Sequence, residues 1–115
     1  MTKESRPWGW YTVLKVDAGY KLKEIVVKPS QRLSYQSHSQ RRESWTITEG
    51  YAKITLDGVE KLYTTGDTVI IDVGTKHRVE NASEIHNLTF IEVQTGSYFG
   101  EDDIVRYEDD YGRIN

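Results

Sequence analysis

The chain contains no cysteine, which excludes disulfides, thiolate metal sites and cysteine nucleophiles together. It has no apolar run approaching the roughly 20 residues needed to cross a bilayer. The opening "MTKESRPWGW" lacks the apolar core of a secretory leader. A soluble, cytoplasmic protein that binds no membrane is therefore expected. An excess of positive charge is missing too: 15 Lys and Arg stand against 18 Asp and Glu, a net charge of -3. That balance argues against a general nucleic-acid binder. Helical periodicity is absent from every segment before residue 100, and only three histidines are available for chemistry.

What is present is a series of short strand-like segments punctuated by turns. With 115 residues the chain fits one domain, 1–115, ending in an acidic tail over about 100–115. "YTVLKV" (11–16) leads to the turn "DAG", and "YKLKEIVVK" (20–28) stops at Pro29-Ser30. "RLSYQSH" (32–38) meets the polar stretch "SQRR", "ESWTITEG" (43–50) ends in glycine, and "YAKITLDG" (51–58) ends in a strong hairpin dipeptide. "VEKLYTTG" (59–66), "DTVIIDVG" (67–74), "KHRVENA" (76–82) and "HNLTFIEVQTG" (86–96) complete the set. Ala52, Ile54 and Leu56 alternate with Tyr51, Lys53 and Thr55, as on a half-buried strand. Such spacing predicts an all-β sandwich or barrel. The tail "EDDIVRYEDDYGRIN" reads as a short helix or an extended arm.

The stretch "SYQSHSQRRESW" (34–45) concentrates an amide, an imidazole and a carboxylate. Residues two apart on a strand share a face, so Gln36 and His38 project together. If "SQRR" is a hairpin connection, Glu43 sits across from His38 and three donors converge. A fourth donor would close a site around a divalent cation. His77, at a strand start after "VGTK", is best placed; His86, in the loop-like "NASEIH", is the other choice.

The spacing resembles that of the cupins, whose two motifs read G-x5-H-x-H-x4-E-x6-G and G-x5-P-x-G-x2-H-x3-N. Here Ser30, Gln36, His38, Glu43 and Gly50 fill the first, and Gly66, Asp72, Gly74, His77 and Asn81 the second. Every spacing fits, with Ser30 for Gly, Gln36 for the first His and Asp72 for Pro as departures. This resemblance implies a double-stranded β-helix, the jelly-roll barrel of cupins. A narrower resemblance rests on "RPWGWY", "IVVKPSQRLSYQSHSQRRESW", "GTKHRVEN" and "VQTGSYFGEDDIVRYEDDYGR". These segments are similar to the C-terminal cupin of type II mannose-6-phosphate isomerases, a module often fused behind a mannose-1-phosphate guanylyltransferase. The present length leaves no room for that transferase. The resemblance implies Gln36, His38, Glu43 and His77 as ligands of a divalent ion, with Zn favoured and Mn, Fe, Co or Ni compatible. The family carries histidines where this chain has Gln40 and Ser44, positions expected in the polar lining of the pocket.

The implied activity is interconversion of mannose 6-phosphate and fructose 6-phosphate, in supply of GDP-mannose and polysaccharide precursors. A non-catalytic sugar-phosphate-binding cupin, or a different metal-cupin enzyme, is the alternative, because the fold hosts many activities. Isomerisation through an enediol needs a Lewis acid, a proton-shuttling base and a cationic grip on the phosphate. Lys23, Glu24 or a metal-bound water is the candidate base, with Lys23 also readable as part of a solvated strand face. Arg106 and Arg113 are the candidates for the phosphate, with Arg113 placed among the catalytic residues; otherwise both pair with Glu108, Asp109 and Asp110 on a surface arm. Arg41, Arg42, Lys76 and Arg78 read as rim charges. Trp8, Trp10 and Tyr11 are assigned to a sheet face or dimer contact, and Trp45 to the core or pocket wall. Gly50, Gly58, Gly66 and Gly74 read as turn glycines, and Asn81 as a tie for a strand end. An isologous homodimer is expected.

Overall fold

Strand formation follows the period-two patterns, and the computed structural model describes residues 2–100 and 102–113. Eleven strands form: β1 (Lys3–Arg6), β2 (Gly9–Val16), β3 (Tyr20–Val27), β4 (Tyr35–Ser37), β5 (Arg41–Glu49) and β6 (Tyr51–Leu56), then β7 (Val59–Thr64), β8 (Thr68–Ile71), β9 (His77–Asn81), β10 (Leu88–Gly96) and β11 (Val105–Glu108). They make two antiparallel sheets, ordered β1-β2-β3-β10-β5-β8 and β11-β4-β9-β6-β7. No helix occurs among the described residues.

Nine of the strands coincide with segments legible in the sequence; β1 and β11 do not. The tail is an extended arm that adds β11 to β4, pairing Arg106 with Gln36 and Val105 with Ser37. Glu101, Ile114 and Asn115 of that tail lie outside the described residues. The "SQRR" stretch is not a hairpin. It carries the chain from β4 in one sheet to β5 in the other, so His38 and Glu43 meet across the barrel interior. The predicted hairpin turn at Asp57-Gly58 does form. Both residues have positive φ (45° and 84°), and the turn closes Leu56 onto Val59.

The two sheets face each other over an apolar core at one end of the barrel. Ile25 and Val27 from β3, Ile47 from β5 and Phe90 and Leu88 from β10 meet Ala52 and Ile54 from β6 and Val79 from β9. Each of the Ile, Val, Leu and Phe side chains, once fully buried, contributes about 1.5–3 kcal/mol. Trp8 belongs to this cluster at 5 % exposure, so it is core rather than a dimer contact. Asn81 ties the adjacent loop as expected: its Nδ2 donates to the carbonyls of Val27 and His86, and its Oδ1 accepts from Ser83 N.

Candidate metal centre

The inward faces turn polar toward the other end of the barrel, because the same strands that supply the core place different residues further along the same parity. In one sheet Arg106, Gln36 and His77 are register neighbours on β11, β4 and β9. In the other, Lys23, Glu92 and Trp45 form a row on β3, β10 and β5, and Gln94 lies beside Glu43. These two faces enclose a cavity of about 160 Å³.

His38, Glu43 and His77 converge in this cavity with ligand atoms within 4.8 Å of one another, all buried. His38 Nε2 lies 3.5 Å from Glu43 Oε2, and His77 Nε2 lies 3.8 Å from Glu43 Oε1. The Nδ1 of His77 sits 2.9 Å from the Thr75 carbonyl, which can only accept. Nδ1 therefore carries the proton and Nε2 presents its lone pair to the cluster. Burial holds both imidazoles neutral. It pushes His38 down to about 2, with Arg41, His77 and Lys23 acting in the same direction. His77 is lowered by burial against the opposing pull of the Thr75 carbonyl. The His77 lone pair and the Glu43 carboxylate oxygen repel each other at this separation unless a cation lies between them. This donor set of two imidazoles and a carboxylate could hold a metal ion. Gln36 lines the same cavity beside His77, where its amide can complete the set. His86 is exposed and outside the cluster.

The surroundings are strongly cationic. Arg6, Lys23, Arg41, Arg78, Arg106 and Arg113 line the cavity, against the carboxylates Glu43 and Glu92. Lys23 is 4 % exposed, with Nζ 4.2 Å from the centre of the Tyr11 ring, so it is no solvated face. Glu24 must point the other way, because adjacent residues on a strand face opposite sides. It is half-buried and does not line the cavity, which removes it as a base. Arg41 and Arg78 are not rim charges. Arg41 is buried, with Nε 2.9 Å from Glu43 Oε2 and Nη1 donating to the Gly100 carbonyl. Arg78 is buried and donates to the carbonyls of Leu33 and Glu108. Arg42 is a rim charge, paired with Asp72 at 3.0 Å. Arg113 fits both readings of the tail: it lines the cavity and binds Asp109 through Nε at 2.8 Å. Asp110 is taken instead by Arg32, which grips both its oxygens.

Gln40 and Ser44 lie outside the cavity, on exposed loop and on the outward parity of β5 respectively. Their departure from the family pattern therefore leaves the cavity lining unchanged. Sequence reasoning missed Glu92 and Gln94. Their signal was present: both share the inward parity of Leu88 and Phe90 on β10, where polar residues are costly unless used. Trp45 Nε1 donates to Glu43 Oε1 at 3.2 Å and to Glu92 Oε2 at 3.0 Å. Gln94 Nε2 donates to Glu92 Oε1 at 2.6 Å. Burial pushes the Glu92 carboxyl up to about 7, helped by Glu43 and opposed by Lys23, Arg41 and the Gln94 amide.

A two-sheet antiparallel barrel with an imidazole–carboxylate cluster between its sheets defines a cupin. Solved structures agree on the fold. A double-stranded β-helix protein from Klebsiella pneumoniae superposes with a TM-score of 0.78 at 18 % identity, covering 94 % of this chain and 86 % of that one. The capsular polysaccharide assembling protein CapF from Staphylococcus aureus gives 0.81 at 18 % identity, covering 93 % and 34 %. Within the cupins, residues 1–109 match the family described as Mannose-6-phosphate isomerase C-terminal, and the chain belongs to that family. It is 48 % identical over 108 residues to a mannose-1-phosphate guanylyltransferase from Salmonella montevideo, covering 94 % of this chain and 23 % of that protein. The alginate biosynthesis protein AlgA of Pseudomonas aeruginosa is 44 % identical over 108 residues, covering 94 % and 22 %. The xanthan biosynthesis protein XanB of Xanthomonas campestris is 43 % identical over 111 residues, covering 96 % and 24 %. The chain thus spans under a quarter of the length of these relatives. No helix among the described residues is long and apolar enough to cross a membrane.

Proposed function

We propose that this cupin is a metal-dependent aldose–ketose isomerase that interconverts mannose 6-phosphate and fructose 6-phosphate. The observation that carries the reading is the set of neutral imidazoles and a carboxylate converging inside a cavity rich in Arg and Lys. Gln36, His38, Glu43 and His77 would hold the ion. When bound, it would supply a Lewis acid for the carbonyl and hydroxyl oxygens of an open-chain sugar. The chain's own residues account for the remaining requirements. Arg106, on β11 at the cavity wall, and Arg113 provide the charge to grip a phosphate dianion. Lys23 brings a buried ammonium to the same space, suited to exchanging protons with sugar oxygens. Burial of the donors excludes water, which strengthens each of these interactions. Membership of the family and the xanthan, alginate and mannose-1-phosphate relatives support a place in mannose and polysaccharide-precursor metabolism.

Metal analysis and a direct isomerase assay test this together. The purified chain should carry about one divalent ion per molecule, and His38→Ala should lose it. Metal-loaded protein that leaves mannose 6-phosphate and fructose 6-phosphate uninterconverted would reject the proposal.

A further inference from the structure

Moving a hydrogen between two adjacent carbons of a sugar requires a base that can reach carbon. The ligand carboxylate and imidazoles are committed elsewhere, and Glu24 faces away from the cavity. Among the described residues lining the cavity, Glu92 is the carboxyl that stands outside the ligand cluster.

We infer that Glu92 is the catalytic base that carries the hydrogen between C1 and C2 of the sugar phosphate, held in position by Trp45 and Gln94; this rests on the isomerase reading. The geometry is specific. One oxygen of Glu92 accepts from the Trp45 indole and the other from the Gln94 amide, so the plane of the carboxyl is fixed from both ends. The same indole N–H is shared with Glu43, which keeps an oxygen of each carboxyl within about 6 Å of the other. Glu43 and Glu92 rise from the same sheet face, so an open-chain sugar in the cavity would meet the ligand cluster and Glu92 side by side. Lys23, the cross-strand neighbour of Glu92 on β3, lines the same wall.

The step balances without an added reactant. Glu92 takes the C2 proton, the C2–H pair becomes the C1=C2 bond, and the carbonyl pair moves to O1, which gains a proton. In the second half O2–H loses its proton, the C2=O bond forms, the C1=C2 pair takes the proton from Glu92 at C1, and the carboxylate is restored. The proton gained at O1 equals the one lost from O2, an exchange for which the Lys23 ammonium lies beside Glu92. Trp45 and Gln94 act through Glu92 and are positioning residues.

The test uses Glu92→Gln, which keeps the shape and loses the base, in metal-loaded protein. Metal content and fructose 6-phosphate affinity by calorimetry should stay within about twofold of wild type. Interconversion should fall by ~100-fold or more, and uptake of solvent deuterium at C1 of fructose 6-phosphate should cease with it. Glu92→Asp, which withdraws the carboxyl by one methylene, should retain metal and slow by ~10-fold or more. An active wild type with either variant turning over at the wild-type rate overturns the role of Glu92 alone. So does loss of metal or sugar affinity in both variants, which would mark Glu92 as structural. A metal-loaded wild type that neither interconverts nor exchanges deuterium removes the isomerase reading, and this role with it.

Discussion

Replacing Arg41 by methionine tests the electrostatic arrangement of the cavity most directly. The guanidinium and the Glu43 carboxylate face each other at 2.9 Å, with side-chain exposures of 4 % and 2 %. Each of these buried ions finds an opposite charge in direct contact in the other. Removing one partner of such a pair leaves an uncompensated charge and costs about 3–5 kcal/mol. A domain of this size has about 5–15 kcal/mol in total, so the variant should approach the folding limit. In melting temperature the loss corresponds to roughly 10–25 °C. Methionine preserves most of the stem's packing, so the effect should be electrostatic rather than a cavity term. Urea unfolding in the presence of chelator, followed by tryptophan fluorescence, measures it. Two controls sharpen the test. Arg41→Met combined with Glu43→Gln removes both charges and should recover most of the loss, to within about 1–2 kcal/mol of wild type. Saturating divalent ion should also reduce the loss in the single variant, because a cation would then stand beside Glu43. An apo Arg41→Met variant within about 1 kcal/mol of wild type would refute the reasoning, as would a double variant no more stable than the single one.

Two further outcomes follow from the same structure. Gly50, between β5 and β6, has φ of 92°, and an added Cβ would meet the Asn87 carbonyl oxygen at 2.7 Å. Gly50→Ala should therefore destabilise by more than ~1 kcal/mol in thermal unfolding, whereas the same change at exposed Gly19, with nothing within 4 Å, should not. The pH dependence of the apo chain has opposing parts. His38 is depressed in the fold to about 2, so the unfolded chain binds the extra proton below about 6.5, and stability is lost as pH falls through that value. Glu92 is raised in the fold to about 7, so its contribution falls as pH rises from the ordinary carboxylate range through 7. Glu92→Gln removes the second part. Its stability should thus drop more than that of wild type between pH 7 and 5, by about 2 kcal/mol, and equal slopes in urea titrations would contradict the assignment.

Much of the fold and part of the site were legible along the chain because strands report themselves locally. Alternation in "YAKITL", the Asp57-Gly58 turn and the β-branched run of β3 required no partner to be recognised. The proximity of the candidate ligands Gln36 and His38 was legible for a related reason, since residues two apart on an extended chain share a face. The errors share a cause as well. Whether "SQRR" closes a hairpin or crosses between sheets depends on which strands pair, and pairing is non-local. Arg41 read as a rim charge because its partner, Glu43, is buried only once β5 is covered by the opposite sheet. The strands β1 and β11 are polar and exposed for most of their length, and pairing with their neighbours' open edges makes them strands.

The amino-acid sequence alone determined the barrel class, most of its strands and the residue types able to hold an ion, because side-chain parity and turn chemistry act over a few residues. Tertiary structure alone decided which charges are buried together. It brought Glu92, Gln94 and Lys23 from β10 and β3 to the wall facing His38 and His77. The strength of a charge depends on how much water is excluded around it, and that exclusion exists only after two distant sheets have closed on each other.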